Sequence, residues 1–365
     1  MNKNNKLLLI IDCYKNPFAG TEGQLMMLIH GLKSHGYQLT LMILRGWEYS
    51  SSNRFPVPVD ILDIGRIVSP VSWFRLAAYF LKKRSEGFNI AQTFFCDSSI
   101  ICPPILKMLG YSVIISRRDM GYWYTHTNIR LLRINSMYVD YVIANSEAVK
   151  SITMRKENYP GHRVRVIYNG YEKMAQINIP DHSPVESDNI ALKLVIVANI
   201  RPIKRIQDAI DAVAIAADSV QNISLYIVGG GDAMHLQKHA KQKGVADRVH
   251  FLGPRSDVQK ILPDFDIGIL CSESEGFSNT VIEYLQAGLP VICSNVGGNP
   301  EIIDHGVSGY LYDMGDVDML SGYICWFANN PEMIEKMGLE GRDRVGERYG
   351  MEKYIESHLS LYENL

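Results

Sequence analysis

The feature that most constrains the fold is an alternation of short apolar runs with helical patterns, repeated in two successive series. In the first series, KLLLIIDC precedes the helical pattern EGQLMMLIHGLKSHG, and the β-prone runs QLTLMILR, NIAQTFF, YSVIISR and YVIANS follow. The second series contains LKLVIVAN, ISLYIVGGG, RVHFLG, DIGILCS and PVICSN, with helical patterns at 205–217, 233–243, 256–263 and 279–287. Strands that alternate with helices predict parallel, doubly wound sheets covered by helices.

The length of the chain predicts two such domains. A chain of 365 residues exceeds the size at which a single hydrophobic core usually keeps growing. The segment INIPDHSPVESDN is polar and contains two prolines, so it is interpreted as an interdomain linker. We therefore expect Rossmann-like domains at residues 1–176 and 177–345, followed by a C-terminal helix at 346–365. The ligand of such sheets binds beyond the carboxyl ends of the strands, and two facing domains would place it in the cleft between them.

Composition excludes several classes of protein. Hydrophobic residues make up 47% and charged residues 21%, as in soluble globular proteins, and no apolar run is long enough to span a membrane. The early run LLLII is interrupted by Asp12, which favours a buried first strand over a signal peptide. The six cysteines are scattered without metal-binding spacing, as expected for reduced thiols in a cytoplasmic protein.

Charge is distributed unequally between the two halves. Residues 1–176 hold 22 Lys and Arg against 12 Asp and Glu, whereas residues 177–365 hold 15 against 27. The basic half favours an anionic partner, such as a phosphate-bearing lipid or the inner face of the cytoplasmic membrane, and predicts no nucleic acid partner. Ordinary variation in solvated surfaces is an equally good explanation.

One predicted helix bears on the same question. Residues 73–84, WFRLAAYFLKKR, are predicted to form an amphipathic helix with a basic edge. Its apolar face is expected to contain Trp73, Leu76, Ala77, Phe80 and Leu81. Packing against the sheet of its own domain is the favoured use of this face, and contact with a membrane surface is the alternative.

Two glutamates in the stretch SESEGFSNTVIEYLQAG carry the main functional signal. Glu275 and Glu283 lie eight positions apart, a spacing that does not suit one face of a single helix. If DIGILCS is a strand, Glu275 lies in the loop at its carboxyl end, and Glu283 lies one turn into a helix capped by Asn279. A helix start binds anions, and carboxylates accept hydrogen bonds from vicinal hydroxyls. A phosphate flanked by two sugars is a nucleotide-sugar.

This stretch resembles the E-x7-E motif of glycosyltransferase family 4, whose members are retaining enzymes of the GT-B fold. The resemblance extends over nearly the whole chain, because VIYNGY, VANIRPIKRIQDAIDAV, IVGGGD, FLGPRSDV and AGLPVICSNVGGNPEII resemble further segments of the family in the same order. It implies two Rossmann-like domains that face each other across a cleft. The first would be on the acceptor side, the second would bind the nucleotide-sugar, and the final helix would return to the first.

The resemblance also implies roles for residues of the second domain. Glu283 would hold the ribose hydroxyls, and Glu275 would lie beside the donor hexose. Lys204 and Arg201 would neutralise the diphosphate; the family often has an arginine where this chain has Asn199, and Arg201 takes that role here. Glu275, Lys204 and Arg201 are therefore the catalytic candidates. The other donor-binding candidates of this domain are Gly276, Phe277, Ser278, Asn279, Thr280, Gly230 and Arg255.

In the first domain, the loop FAGTEGQ matches the glycine-rich turn of the family, so Gly20 is expected to approach the donor. In the stretch ISRRDMGYWYTH, where many relatives carry a histidine, this chain has Arg118 followed by Asp119. No catalytic histidine is assigned. Arg117, Arg118 and Asp119 are candidates for contact with the acceptor or a phosphate.

Two further motifs are set aside. The glycines at 229–231 lack the third glycine of a dinucleotide fingerprint, which would fall at Met234. Asp264 and Asp266 resemble a metal-binding pair, but Asp266 comes just before a strand and is interpreted as ending a turn. We expect no metal and no other cofactor, because lysine and arginine can supply the positive charge.

The sequence therefore predicts an enzyme that transfers a hexose-type sugar from a nucleotide-diphosphate sugar to an acceptor hydroxyl, with retention of configuration. The acceptor is expected to be a glycan or lipid-linked saccharide of the cell envelope. Two alternatives stay open: a nucleotide-sugar-binding protein without catalysis, and a sugar-nucleotide epimerase of the same fold. The identities of the nucleotide base, sugar and acceptor are not encoded in a recognisable motif.

Overall fold

The chain forms two α/β units in a computed structural model that describes residues 6–16, 20–51, 55–172 and 192–365. Every strand pairing in both units is parallel, so the predicted α/β class is confirmed. The predicted linker INIPDHSPVESDN lies outside the described residues.

The N-terminal unit comprises Met1–Gly170 and Met351–Leu365. Its strands in the described part of the chain are β1 (Lys6–Ile11), β2 (Gln38–Ile43), β3 (Val59–Ile61), β4 (Ile90–Phe94), β5 (Ser112–Arg117), β6 (Tyr141–Ala144) and β7 (Val164–Val166). Its first five helices are α1 (Gly20–Ser34), α2 (Pro70–Ser85), α3 (Cys96–Met108), α4 (His126–Asn135) and α5 (Glu147–Glu157). The sheet order β3-β2-β1-β4-β5-β6-β7 reverses between β1 and β4, so the sheet is doubly wound.

The C-terminal unit spans Tyr171–Gly350. Its strands are β8 (Leu192–Val197), β9 (Ile223–Val228), β10 (Val249–Gly253), β11 (Ile267–Leu270), β12 (Val291–Ser294) and β13 (Gly309–Tyr312). Its helices are α6 (Ile206–Ala216), α7 (Met234–Gln242), α8 (Val258–Ile261), α9 (Asn279–Gln286), α10 (Asn299–Ile302), α11 (Val317–Asn329) and α12 (Glu332–Arg348). The sheet order β10-β9-β8-β11-β12-β13 reverses between β8 and β11.

The last helix, α13 (Met351–Glu363), belongs to the N-terminal unit. Its buried positions are Tyr354, Ile355, His358, Leu361 and Tyr362. Two glycines allow its close approach: a Cβ at Gly31 would lie 2.2 Å from Ile355 Cδ1, and a Cβ at Gly170 would lie 2.5 Å from Tyr354 Cβ. Tyr362 donates a hydrogen bond of 2.5 Å to Gln92 at the centre of the sheet. The helix therefore completes the hydrophobic core of this unit.

Helix α2 buries a narrower face than its sequence pattern predicts. Leu76 and Phe80 are fully buried, whereas Trp73 is 40% and Leu81 is 59% exposed. The prediction that Trp73 and Leu81 share the packing face is therefore wrong. Each residue advances a helix by about 100°, so residues at the edges of a wide apolar stripe point away from a flat contact surface.

The described residues contain no helix that is long and apolar enough to cross a membrane. All six cysteines are unpaired. Cys102, Cys271 and Cys293 are buried, and the other three are partly buried.

We predict that His358 makes the stability of the N-terminal unit depend on pH. Its side chain is 1% exposed, and burial lowers the pKa of the imidazole from 6.5 to about 4, with the charge of Arg118 acting in the same direction. The folded unit holds this histidine neutral, so unfolding below the unfolded pKa of 6.5 takes up a proton. The contribution is complete above pH 6.5 and is lost as pH falls toward 4, amounting to about 2 kcal/mol between neutral pH and pH 5.

Thermal unfolding at neutral and mildly acidic pH measures this contribution. His358→Gln should flatten the pH dependence, whereas His162→Gln, which alters an exposed histidine of the same unit, should leave it unchanged. An unchanged pH dependence in the His358 variant would assign the effect to other groups.

Candidate active site

The candidate site of the C-terminal unit lies where its sheet changes direction. Strands β8 and β11 pair only at Leu194 and Val195, and they separate toward their carboxyl ends. Tyr284 of α9 fills the gap: its hydroxyl accepts a hydrogen bond of 2.6 Å from the Val197 N–H and donates one of 3.4 Å to the Ile269 carbonyl. Helix α9 is therefore fixed over the opening in the sheet, which is where doubly wound sheets bind ligands.

The N-cap of α9 lies one residue earlier in the chain than the sequence predicts. Ser278, not Asn279, is the N-cap, and its hydroxyl accepts a hydrogen bond of 3.4 Å from the Val281 N–H. Asn279 is the first helical residue and accepts a hydrogen bond from the Tyr171 hydroxyl. Thr280 donates a bond of 3.3 Å to the Val197 carbonyl, so the helix start is tied to the end of β8.

Two of the predicted catalytic residues contact each other. Lys204 Nζ lies 2.5 Å from Glu275 Oε1, and the two side chains are 25% and 13% exposed. Lys204 ends a single 3-10 turn, Pro202–Lys204, after β8, and Glu275 lies in the loop after β11. The pair therefore joins the two strand ends at the opening. Arg201 immediately precedes this turn, is exposed, and has no side-chain partner among the described residues.

The backbone around Glu275 is fixed by a third segment. The Gly298 N–H donates a hydrogen bond of 3.3 Å to the Glu275 carbonyl. Gly297 has φ +53, and a Cβ there would lie 1.7 Å from the Glu275 oxygen. Only glycine fits this position, because a side chain would meet backbone and the left-handed conformation would be strained. Phe277, two residues after Glu275, is buried and contacts the Tyr349 ring at 5.1 Å.

Glu283 is partly buried on α9, next to Tyr284. Loss of hydration raises the pKa of its carboxyl group from 4.5 to about 7. A carboxyl group with this pKa changes between the neutral and charged forms near neutral pH, and each form can bond to a hydroxyl. The environment of Glu283 thus differs from that of Glu275, which has a cation beside it.

The two remaining donor-side candidates lie in neighbouring loops. The Gly230 N–H donates a hydrogen bond of 3.2 Å to Asn199 Oδ1, and the Gly230 carbonyl accepts one of 2.8 Å from the Ile200 N–H. This contact joins the loops after β8 and β9. Arg255, after β10, forms a two-pronged ion pair with Asp257 at 2.8 and 2.6 Å.

The candidates of the N-terminal unit have different environments. Gly20 is the first residue of α1. Arg117 is 4% exposed, and its guanidinium forms bonds of 2.7 and 2.9 Å with the buried Glu157. Arg118 donates to Asn169 Oδ1. Asp119 accepts bonds from the Gly121 N–H at 2.7 Å and Trp123 Nε1 at 3.0 Å, and burial raises its pKa.

These contacts separate the predicted residues into groups. Lys204, Glu275, the segment 276–280 and Glu283 lie together around the carboxyl ends of β8 and β11. Arg117 is engaged in a buried ion pair that stabilises its own unit. The sequence reasoning missed Tyr284 and Gly297, which position the site. For Gly297, the pair of glycines in NVGGNPEII was the sequence signal that could have indicated its role.

Asp266 has a structural role in the sheet of the C-terminal unit. Asp266 Oδ2 accepts a hydrogen bond of 2.7 Å from the Lys193 N–H, which fixes the start of β11 to β8. The described residues contain no cluster of three histidine, cysteine or acidic side chains that could hold a metal ion.

Several known proteins are similar to this chain. HepE of Anabaena, solved with UDP, has a TM-score of 0.84 at 17% identity and covers 99% of this chain and 100% of its own; its complex with UDP-glucose has a TM-score of 0.81 at 18% identity and covers 98% and 100%. The lipopolysaccharide outer core galactosyltransferase WaaB has a TM-score of 0.76 at 18% identity and covers 99% and 100%. N-acetyl-alpha-D-glucosaminyl L-malate synthase of Bacillus anthracis is 28% identical over 295 residues, which are 76% of this chain and 75% of that protein.

The two parallel-sheet units and their likeness to solved glycosyltransferases define a GT-B fold. The chain is an enzyme of the glycosyltransferase class. Residues 180–344 match the model of the family Glycosyl transferases group 1, and the C-terminal unit carries the domain of that family. The resemblance inferred from the motifs is thereby confirmed for the family of group 1 glycosyltransferases.

We predict that Gly297→Ala destabilises the C-terminal unit. The new Cβ would overlap the Glu275 carbonyl oxygen, and alanine is strained at φ +53. The left-handed strain alone costs about 1–2 kcal/mol, so the total loss of stability should exceed about 2 kcal/mol. Thermal unfolding measures the change.

Gly322→Ala is the matched control, because Gly322 lies within α11 and nothing stands within 4 Å of the position of its Cβ. This variant should be neutral or more stable by up to about 1 kcal/mol. Equal melting temperatures for Gly297→Ala and the wild type would contradict the contact between the 297 and 275 segments.

Proposed function

We propose that the protein transfers a hexose-type sugar from a nucleotide-diphosphate sugar to an acceptor hydroxyl with retention of configuration. The observation that carries this proposal is the convergence of Lys204, Glu275 and the start of α9 at the carboxyl ends of β8 and β11. UDP-sugars are the donors to test first, because the similar HepE was solved with UDP and with UDP-glucose.

In the proposed reaction, the bond between sugar C1 and the phosphate oxygen breaks while a bond between C1 and the acceptor oxygen forms on the same face. The acceptor proton passes to the leaving phosphate oxygen. The protein has to stabilise the negative charge that develops on the diphosphate. Lys204 and Arg201 are proposed to do so with the N–H groups at the start of α9.

The two glutamates would hold the two sugars of the donor. Glu275 is proposed to bond to hydroxyls of the transferred hexose, and Glu283 to those of the ribose. Because Lys204 already contacts Glu275, one cation would serve both the diphosphate and the hexose positions. Phe277 and Gly276 would fix the loop between them, and Gly230 and Arg255 would border the nucleotide. Gly20 is also proposed to contact the donor.

A metal-free mechanism is proposed on the same grounds, since the lysine and the arginine provide the positive charge that a bound ion would otherwise supply. Arg118 and Asp119 are proposed to contact the acceptor. Arg117 is proposed to act indirectly, because its pair with Glu157 supports the loop that contains them.

The expected activity can be measured as nucleotide release. The protein is incubated with UDP-glucose, UDP-galactose or UDP-N-acetylglucosamine and a lipid extract of bacterial envelopes, with and without a chelator. We expect acceptor-dependent release of UDP with at least one donor. Lys204→Ala should lower kcat by about 100- to 1000-fold, the usual effect of removing one group that stabilises a developing anion.

Lys336→Ala is the control for the lysine variant, because Lys336 is an exposed lysine of α12.

Glu283→Ala should raise the donor KM, whereas Glu275→Ala should mainly lower kcat. Donor binding without turnover would favour a nucleotide-sugar-binding protein, and sugar interconversion without acceptor, seen by NMR, would favour an epimerase. Normal kinetics in the Lys204 variant would remove that residue from the mechanism.

We also propose that the acceptor is a glycan or lipid-linked saccharide of the cell envelope and that the enzyme works at an anionic membrane surface. WaaB, which has a similar fold, is a lipopolysaccharide galactosyltransferase. In the N-terminal unit, the outer face of α2 exposes Val71, Phe74 and Leu81 at 65%, 76% and 59%. The exposed basic residues Arg66 and Lys82 flank them. Exposed apolar side chains beside basic ones are typical of helices that lie on an anionic membrane.

We predict that the protein sediments with vesicles of phosphatidylcholine that contain about 30% phosphatidylglycerol, and less with phosphatidylcholine alone. The double variant Phe74→Ser, Leu81→Ser should reduce binding about tenfold or more, because two exposed apolar side chains no longer enter the lipid interface.

The matched control is Met234→Ser, which removes a side chain of the C-terminal unit that is 71% exposed. This variant should bind as the wild type does. Undiminished binding of the double variant, or equal binding to neutral vesicles, would rule out α2 as the anionic-membrane contact.

A further inference from the structure

A depression of about 550 Å³ lies on the N-terminal unit, and none of the residues that line it has been assigned a role above. It is lined by Gly46, Trp47, Glu48, Ser51 and Asp63. These residues follow β2 and β3, so the depression lies beyond the carboxyl ends of these strands. In a doubly wound sheet this is the edge at which ligands bind.

One of the residues that line the depression has an exposed aromatic ring. Trp47 is 51% exposed, although a tryptophan side chain gains free energy from burial. Lys15 Nζ lies 4.5 Å from the centre of its ring. The face of an aromatic ring carries negative charge density, which attracts cations and also the polarised C–H groups on the apolar face of a pyranose.

The loop that carries Trp47 is held rigidly by hydrogen bonds. The Trp47 N–H donates to Ser50 Oγ at 2.7 Å, and the Ser50 hydroxyl donates back to the Trp47 carbonyl at 2.7 Å. The Gly46 N–H donates to Asp63 Oδ1 at 2.9 Å. Asp63 itself has φ +46, a conformation that non-glycine residues rarely adopt and that marks functional sites more often than others.

Aromatic packing also holds this loop against the core of the unit. Tyr49 lies 5.6 Å from Tyr14 and 6.0 Å from Phe55, measured between ring centres. Tyr14 is fully buried in the core of the unit. These contacts hold the backbone that carries Trp47 in place, which reduces the entropy that the loop would lose on binding a ligand.

The polar groups of the depression select the ligand. Glu48 and Asp63 are exposed carboxylates, and Ser51 adds a hydroxyl. Carboxylates accept hydrogen bonds from hydroxyl groups and repel anions. An exposed aromatic ring bordered by two carboxylates and one lysine fits a neutral sugar, and the two carboxylates, which outnumber the lysine, disfavour a phosphate.

We infer that this depression binds one pyranose unit of the acceptor, stacked on Trp47 and with its hydroxyls bonded to Glu48 and Asp63. The inference rests on the proposed function for the identity of the ligand as an acceptor. It implies that the enzyme distinguishes acceptors by a sugar unit that binds in the N-terminal unit.

Fluorine NMR tests the site without any assay of transfer. The full chain is labelled with 5-fluorotryptophan, and its four tryptophan signals are assigned by single Trp→Phe variants. Methyl α-D-glucopyranoside, methyl β-D-galactopyranoside and methyl N-acetyl-β-D-glucosaminide are titrated, with glycerol 3-phosphate as the anionic probe. We expect at least one saccharide to shift the Trp47 signal saturably, with a Kd on the order of 1–10 mM.

Two comparisons make the titration specific. Trp73, an exposed tryptophan on α2, should give an unchanged signal. Asp63→Asn should weaken the saccharide about three- to tenfold while the loop stays folded, because asparagine tolerates the left-handed conformation and keeps an oxygen for Gly46. No saturable shift of Trp47, equal shifts of Trp47 and Trp73, or stronger binding of glycerol 3-phosphate would overturn the inference.

Transfer kinetics give the second readout. Trp47→Ala should raise the acceptor KM about tenfold or more without changing kcat or the donor KM, and Trp47→Phe should restore part of the loss. A Trp47 shift without any transfer activity would leave a saccharide site and refute the proposed function. Transfer by a protein whose Trp47 signal does not respond would refute the site alone.

Discussion

The geometry of the candidate active site depends on one tyrosine that fills a gap in a sheet. Strands β8 and β11 separate at the point where the strand order reverses, so the Val197 N–H has no strand partner on that side. The Tyr284 hydroxyl bonds to it instead. Gly268 makes this approach feasible, because a Cβ there would lie 2.2 Å from the tyrosine ring. A buried N–H without a partner is costly, so the bond fixes both the depth and the rotation of α9.

The two ion pairs at the carboxyl ends of the strands differ in how deeply they are buried. Arg117 and Glu157 are almost completely buried, and a charge in such a place must keep its partner. Lys204 and Glu275 are paired yet partly exposed, so the cost of exchanging one partner for another anion or hydroxyl is much smaller. Sequence position alone does not separate these cases. The difference follows from packing, which places Arg117 inside its unit and Lys204 at an edge.

The sequence predicted the alternating elements and the strand, loop and helix around Glu275 correctly, because both are encoded locally. Apolar runs of β8 and β11 and the motif from Ser272 to Gly288 need no distant information. No prediction covered helix α3, whose local sequence is a poor helix signal because Pro103 and Pro104 lie inside it. Its start is stabilised by Asp12, whose carboxylate accepts bonds from the Asp97 and Ser98 N–H groups some 85 residues along the chain.

Contacts between residues distant in sequence also limited the prediction of the candidate site. The partnership of Arg117 with Glu157 and the contact of Gly297 with Glu275 join segments that are distant in sequence. No local pattern reports them. The sequence pattern also could not predict which apolar residues of α2 are exposed. Periodicity gives the direction of a helix face but not the width of the surface that covers it.

Helix α13 has a consequence for the order in which the chain can fold during synthesis. The core of the N-terminal unit includes Tyr354, Ile355, Leu361 and Tyr362, yet these residues leave the ribosome only after the entire C-terminal unit has been made. Translation proceeds at about 5–20 residues per second, so the first unit spends many seconds without its last helix. During that interval Gln92 and the apolar surface beside α1 face solvent or a chaperone. Truncation near the C-terminus would therefore damage the domain at the opposite end of the sequence.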